Sequence, residues 1–348
     1  MTKLRIGVIG LGMGRGHIRN YQLHPQADVV AIADLDEGRL AEIGDTYGVE
    51  NRYTDALAML SKENLDVVSI ALPNKFHKPF TLAAFEAGCH VLCEKPMAMN
   101  AAEGREMLAA SEKAGKRLMI NFSYRFSDHS FGLKSQVDDG VLGDVYFART
   151  VWHRRRGMPR FGGWFGQKAI SGGGPLIDLG VHRLDLALWL MGYPKPTWVM
   201  ASTYSPIADR LAAKAGVDFD VEDLAVAMIK FENGATVEVE ASWAANIKEK
   251  ELMETRLLGT EAGLVQRNVD GDYTFEAELY LEKDGYQFDM KVNPPRNEPP
   301  KSAMVHFIEA IVTDTPHIAT GEEGLLVMQL LDAIYASAIS GEPVRISD

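Results

Sequence analysis

A chain of 348 residues has room for two packed domains, and its 46% hydrophobic and 24% charged residues are the proportions of an ordinary globular protein. A formal charge of -12 excludes general attraction to nucleic acid or anionic lipid, and the one dense basic cluster is Arg154-Arg155-Arg156. Cys89 and Cys93, the only cysteines, fall at even spacing in one strand and share a face, which suits a reduced interior better than a disulfide. His90 between them points the other way, which argues against a metal site. With a strand opening at Leu4 no signal peptide is expected, and no apolar run is read as spanning a bilayer. The expectation is a cytoplasmic protein without nucleic-acid, membrane or metal partners.

Residues 4–9 form a short β-rich run, followed by Gly10-Leu11-Gly12-Met13-Gly14-Arg15-Gly16-His17 and a helical stretch. Strand, glycine turn and helix make a pyrophosphate cradle, because glycines allow close backbone approach and the helix N-terminus favours negative charge. The regular fingerprint has its third small residue where this chain has Arg15, so the turn is one residue short and a merely structural turn is an alternative. A second strand, 29–33, ends at Asp34, near the spacing of the acid that bonds an adenosine ribose. An acid there favours NAD over NADP, although Arg15 and Arg39 could rescue NADP. The other reading of Asp34 is a helix N-cap. Helices and strands then alternate through strands 67–72, 91–93 and 117–122. That alternation predicts a doubly wound parallel sheet with right-handed crossovers.

The strand at 91–93 runs into Glu94-Lys95-Pro96, and the proline keeps Lys95 out of helical geometry at the carboxyl edge of the sheet. Ligands of open α/β sheets bind at that edge. Pro73-Asn74 and His77 follow the preceding strand and reach the same edge, although His77 could simply cap a helix.

Beyond Phe122 the texture changes to longer alternating runs at 145–153, 198–204, 223–231, 235–243, 254–258 and 275–282, with Glu232-Asn233-Gly234 as a hairpin turn. This predicts an α+β domain with an open, mainly antiparallel sheet whose free face joins copies into a homodimer or homotetramer. Residues 1–122 and 123–348 are the two expected domains. Residues 214–220 and the proline-rich 293–300 read as loops, and helices are expected at 303–312 and 324–339. One more helix follows Ser171-Gly172-Gly173-Gly174-Pro175 and carries Asp178, His182, Asp185 and Trp189. Asp178 and His182 project from one face a turn apart. A histidine can take a proton near neutral pH, and a carboxylate can orient it. An ordinary surface Asp-His pair is the alternative, and Asp185 is a competing partner.

The glycine turn, Asp34, Pro73-Asn74 with His77, Glu94-Lys95-Pro96, and the triple glycine leading to Asp178 and His182 together resemble the Gfo/Idh/MocA oxidoreductases, over essentially the whole chain. The resemblance implies a Rossmann domain, an open-sheet substrate domain, bound NAD(P), and hydride transfer at a secondary alcohol or ketone of a sugar or cyclitol. It implies catalytic roles for Lys95, Asp178 and His182, with Lys95 polarising the substrate oxygen and His182 the acid/base. It places Gly10, Gly12, Met13, Gly14, Asp34, Pro73, Asn74, His77, Glu94, Lys95 and Asn121 at the cofactor. Arg125, His153, Arg154, Trp164 and Lys168 join Asp178 and His182 around the substrate. The Lys95-Pro96 bond is often cis in relatives. The short glycine turn leaves open how Gly12, Gly14 and Gly16 divide their roles. Two further functions stay open: an NAD-dependent glycosidase with transient sugar oxidation, and a non-catalytic nucleotide-binding regulator.

Overall fold

The computed structural model describes residues 3–295 and 302–346. Within the stretch 293–300 read as a loop, residues 296–300 lie outside the described ones, and Asn293 to Pro295 have no regular structure. Two compact units divide after Phe122 and again after Met328. Residues 302–328 group with the first unit, whereas the sequence reading placed everything after Phe122 in the second domain.

The first unit carries β1 (Leu4–Ile9), β2 (Ala27–Ala33), β3 (Asn51–Tyr53), β4 (Val67–Ile70), β5 (His90–Glu94) and β6 (Leu118–Asn121). They form one six-stranded sheet in the order β3-β2-β1-β4-β5-β6, with every pairing parallel. The helices between them are α1 (Leu11–Tyr21), α2 (Glu37–Tyr47), α3 (Ala56–Lys62), α4 (His77–Glu86) and α5 (Ala101–Ala114). Parallel strands covered on both faces need unbroken apolar runs, and β4 and β6 are buried at every position. Asp36, Asp55 and Asn100 accept backbone N–H bonds at the starts of α2, α3 and α5, while Gly48 and Gly115 end α2 and α5 in the left-handed conformation. The two cysteines are free and buried.

The second unit begins with α6 (Asp128–Asp138), then β7 (Val145–Arg154), a short α7 (Lys168–Ser171), a π-helical turn over Leu176–Gly180, and α8 (Val181–Leu190). It continues through β8 (Pro196–Tyr204), α9 (Pro206–Ala215), β9 (Leu224–Phe231), β10 (Thr236–Ser242), β11 (Glu251–Gly259), β12 (Ala262–Asn268), β13 (Phe275–Lys283) and β14 (Tyr286–Lys291). After α10 (Ala303–Val312) and α11 (Gly321–Ser340) comes β15 (Val344–Arg345). The nine strands run β14-β13-β12-β11-β7-β10-β9-β8-β15. All neighbours are antiparallel except β7 and β10.

Three expectations change. The loop expected at 214–220 starts inside α9, which has Pro206 in its first turn and ends on left-handed Gly216. α6, β12 and β14 have no counterpart in the sequence reading. α11 is long and apolar enough to cross a bilayer by length and composition. Its Val327, Leu330, Leu331 and Ile334 are core residues, so the apolar length reflects burial against protein. Residues up to Met328 of α11 belong to the first unit and the remainder to the second.

Two half-buried histidines should make the first unit acid-sensitive. Burial pushes His90 and His306 down to about 4, with Lys116 and Arg117 adding to the effect on His90 and His317 to that on His306. Each accepts a backbone N–H, from Arg117 at 3.0 Å and from Ile318 at 3.1 Å. A histidine whose folded pKa is depressed binds fewer protons folded than unfolded. Stability is therefore complete above about 6.5 and is lost as pH falls toward 4, by about 1–2 kcal/mol per histidine after allowing for solvent screening. Melting temperature measured from pH 7 to 4 should fall across that window, and His306→Gln, which keeps an acceptor for Ile318, should flatten the slope.

Candidate active site

At the carboxyl edge of the first sheet the chain enters α1 directly from Gly10. Gly10 has φ 86°, and a Cβ there would land on the Ala71 carbonyl oxygen. A Cβ on Gly14 would press on Val8, so Gly14 is the glycine that lets α1 lie against β1; a Cβ on Gly12 or Gly16 meets nothing within 4 Å. The helix starts one residue early, and Gly14 takes the packing role that the regular spacing gives to the position of Arg15. Met13 is exposed. Asp34 at the end of β2 accepts from the amides of Leu11 at 2.8 Å and Asp36 at 2.9 Å, and from Arg39 at 3.0 Å. Burial raises its pKa, but these donors outweigh that and hold it below its ordinary value. The N-cap of α2 is Asp36, not Asp34.

Glu94 closes β5, and the Lys95-Pro96 peptide that follows is cis. Glu94 Oε1 accepts from Asn121 Nδ2 at 2.6 Å and lies 2.8 Å from His17 Nε2, and Oε2 accepts from the Lys95 amide at 3.2 Å. Burial raises the Glu94 pKa, but the His17 and Asn121 bonds and the Lys95 charge bring it below its ordinary value. Pro73 and Lys95 are half-buried and Asn74 is buried. His77 departs from its expected place at the cofactor. It is fully enclosed, with Nδ1 2.7 Å from the Pro96 carbonyl and Nε2 2.8 Å from the Leu72 carbonyl, and burial holds its pKa down. It ties the end of β4 to the segment after Lys95 and has no surface left for a ligand.

In the second unit the residues after the triple glycine form the π turn before α8, so Asp178 sits on a wider turn than the expected α-helix. Its Oδ2 accepts from the Trp243 indole at 3.0 Å. His182, in the first turn of α8, is half-buried between Tyr124 and Trp152, whose ring centroids lie 5.0 Å and 5.8 Å away. The turn is anchored by Glu222, which accepts from the amides of Gly174 at 2.9 Å and Leu176 at 3.2 Å and from the Tyr335 hydroxyl at 2.9 Å. A Cβ on Gly173 would overlap the Tyr335 hydroxyl and one on Gly174 the Glu222 carbonyl, so this stretch is glycine for steric reasons. Gly174→Ala should cost about 1–3 kcal/mol through overpacking. Turnover should fall with it as the Asp178 turn shifts, read by chemical unfolding and by assay of the same preparation.

The expected substrate ligands separate. Arg154 lies on the face of β7 shared with Trp152, donates to Glu251 at 2.6 Å and to Tyr273 at 2.9 Å, and so stays near His182. Trp164 is half-buried and stacked on Phe165 at 3.9 Å, and Lys168 is exposed with its ammonium 5.5 Å from the Tyr335 ring. His153 does not belong with them. Strand alternation turns it to the opposite face of the sheet from Trp152, 3.5 Å from Glu240, itself bonded to Arg149. Arg125 is also corrected. It is 0% exposed, and its Nε donates to Asp185 at 2.8 Å, while the Tyr193 hydroxyl donates to the same carboxylate at 2.9 Å. Asp185, expected to compete for His182, is thereby engaged with Arg125.

A protein of Escherichia coli K12 named D-glucoside 3-dehydrogenase is 34% identical to this chain over 355 residues, covering 99% of this chain and 98% of that one. The oxidoreductase-family model with an NAD-binding Rossmann fold matches residues 4–122, and the GFO/IDH/MocA C-terminal domain model matches 132–265. The chain belongs to the GFO/IDH/MocA oxidoreductase family. Among solved relatives, a levoglucosan dehydrogenase in complex with NADH superposes with TM-score 0.87 at 25% identity over 100% of both chains. An aldose-aldose oxidoreductase from Caulobacter crescentus, complexed with glycerol, gives 0.85 at 28% identity over 99% of both chains.

As a GFO/IDH/MocA member the chain has an NAD-binding Rossmann domain, and its own residues fit the dinucleotide. α1 has no side-chain cap and no acid in its first turn, there is open space over Gly12, and a low-pKa acid ends β2. Asn121 Oδ1 is buried without a protein partner among the described residues.

Three participants are absent from the sequence reading. His17 bonds a partner far along the chain, and Glu222 caps the π turn from a distant loop. Arg183 is fully buried with its guanidinium 4.6 Å from the Tyr124 ring centroid and 5.2 Å from that of Phe275, and burial lowers its pKa to about 10. Their position beside the glycine turn, the triple glycine and His182 is the only local signal.

Proposed function

We propose that the protein is an NAD-dependent dehydrogenase acting on a secondary hydroxyl of a sugar, sugar derivative or cyclitol. The observation that carries this reading is His182 flanked by the rings of Tyr124 and Trp152, following the turn that holds Asp178. A sugar ring offers C–H faces to aromatic walls and hydroxyls to convergent polar groups. Arg154, Tyr273 and Glu251 are a polar set beside Trp152. Bound NAD supplies the hydride acceptor. His182 removes the proton of the reacting hydroxyl, and Lys95 holds the negative charge that develops on that oxygen. Asp178 orients His182 and substrate. Gly10, Gly12, Met13 and Gly14 receive the pyrophosphate, Asp34 the adenosine ribose, and Pro73, Asn74, Glu94 and Asn121 border the nicotinamide half. The ionised Asp34, already paired with Arg39, disfavours a 2′-phosphate.

Likeness to the D-glucoside 3-dehydrogenase favours glucosides among the substrates. The test is the near-ultraviolet absorbance of reduced nicotinamide when the protein meets NAD or NADP with glucosides, aldoses, uronates and cyclitols. Reduction by NAD with one sugar class is expected. Absence of reduction with all of them, and of any altered sugar product, would refute the reading. Altered sugars without net reduction would instead support a cofactor recycled in place.

The open face of the second sheet, with Met228 39% exposed beside a groove of about 330 Å³ that includes Met200, Val226 and Glu238, is our candidate surface for a homodimer or homotetramer. A monomer in sedimentation at working concentration would refute that assignment.

A further inference from the structure

Three elements of the first unit meet at one buried imidazole. His17, on α1, has Nδ1 2.7 Å from Ser69 Oγ on β4 and Nε2 2.8 Å from Glu94 Oε1 at the end of β5. Ring, hydroxyl and carboxylate are all buried. A carboxylate only accepts, so the Glu94 side of the ring is the N–H side, whichever proton Nδ1 shares with Ser69. The same Oε1 accepts from Asn121, and Oε2 from the Lys95 amide. Donors from α1, β6 and the start of the Lys95 segment therefore fix both oxygens. A buried polar chain of this kind is costly to desolvate and could be replaced by apolar packing without loss of fold, so its value lies in what it orients.

The bond crosses a particular place in the sheet. Strand order runs from β1 to β4 to β5, and it is between β1 and β4 that the order reverses, the point where open sheets bind dinucleotides. Asp34 ends β2 on one side and Glu94 ends β5 on the other, roughly 14 Å apart by strand spacing. With the adenosine ribose on Asp34, the other half of the dinucleotide lies toward Glu94. We propose that His17 is a positioning residue that holds the Glu94 carboxylate in place for the nicotinamide half of the cofactor. This rests on the NAD site described above.

The amide nitrogen of glutamine can replace imidazole Nε2 and that of asparagine Nδ1, so His17→Gln keeps the Glu94 contact and His17→Asn keeps only the Ser69 contact. Binding of NAD and of ADP-ribose is measured by calorimetric titration of the full chain, with melting curves to confirm folding. ADP-ribose affinity should stay within about twofold throughout, while NAD affinity is retained in His17→Gln and falls about tenfold or more in His17→Asn, the range of a lost bond to a charged group. Glu94→Gln should weaken NAD similarly and add little to His17→Asn, which keeps the proposal testable if one variant does not fold. Equal NAD affinity in all variants, or equal loss from His17→Gln and His17→Asn, overturns the positioning role and leaves the NAD site standing. Wild-type protein that binds neither ligand overturns both.

Discussion

Lys95→Ala is expected to keep NAD bound and to turn over about two to three powers of ten more slowly, the effect of removing one preorganised charge from a developing oxyanion. Lys95 is half-buried directly after Glu94, with its amide bonded to Glu94 Oε2. His77 holds the Pro96 carbonyl. The backbone on both sides is thus held independently of the ammonium, and losing the ammonium leaves the segment in place. Single-turnover reduction of bound NAD isolates the step, and a separate NAD titration reports whether the site is intact. Turnover within tenfold of wild type with NAD bound would remove Lys95 from the chemistry. Lys95→Arg should recover only part of the rate, because a planar fork does not deliver charge to the same point.

The second large effect is on stability. Arg125→Ala should cost about 3–5 kcal/mol by leaving the Asp185 carboxylate buried without its cation. Both groups are at most 1% exposed, and the guanidinium also lies 5.3 Å from the Tyr193 ring centroid and 5.9 Å from that of Trp189. Urea unfolding checks the size. A paired Arg125→Met, Asp185→Leu replacement should recover most of the loss, since apolar side chains of similar volume can replace a buried ion pair. A substrate ligand behaves differently: its removal raises KM and leaves unfolding unchanged. Arg125→Ala with normal unfolding and a raised KM would return Arg125 to the substrate.

The first sheet is legible in the sequence because parallel strands buried on both faces need unbroken apolar runs. Val91 to Cys93 is such a run and Val67 to Ile70 is one apart from Ser69, with helices between them. The second unit is less legible where neighbours decide the outcome. β12 opens Ala262-Gly263-Leu264, a weak strand pattern that the pairings with β11 and β13 override. α9 carries its signals, Pro206 and Gly216, but it buries only Ala208 and Ala212, so little of it enters the core. A π turn leaves no periodicity to read, so the sequence alone places Asp178 on a helix of ordinary pitch. Arg125 and Asp185 are far apart along the chain, and nothing near either predicts that the charge is buried. The place of His153 is different. Trp152, His153 and Arg154 are consecutive in a strand, and period-two geometry already forbids all three from lining one pocket.

That alternation gives β7 a vulnerability of its own. On one side it presents Ala148, Thr150, Trp152 and Arg154, and on the other Phe147, Arg149, Val151 and His153. Individual replacements disturb one side at a time. A single-codon deletion early in the strand would exchange the sides, carrying Trp152 out to the open face and His153 toward His182 in one step. Length is therefore inherited more strictly than composition along this strand, and descendants should vary in its residues long before they vary in their number.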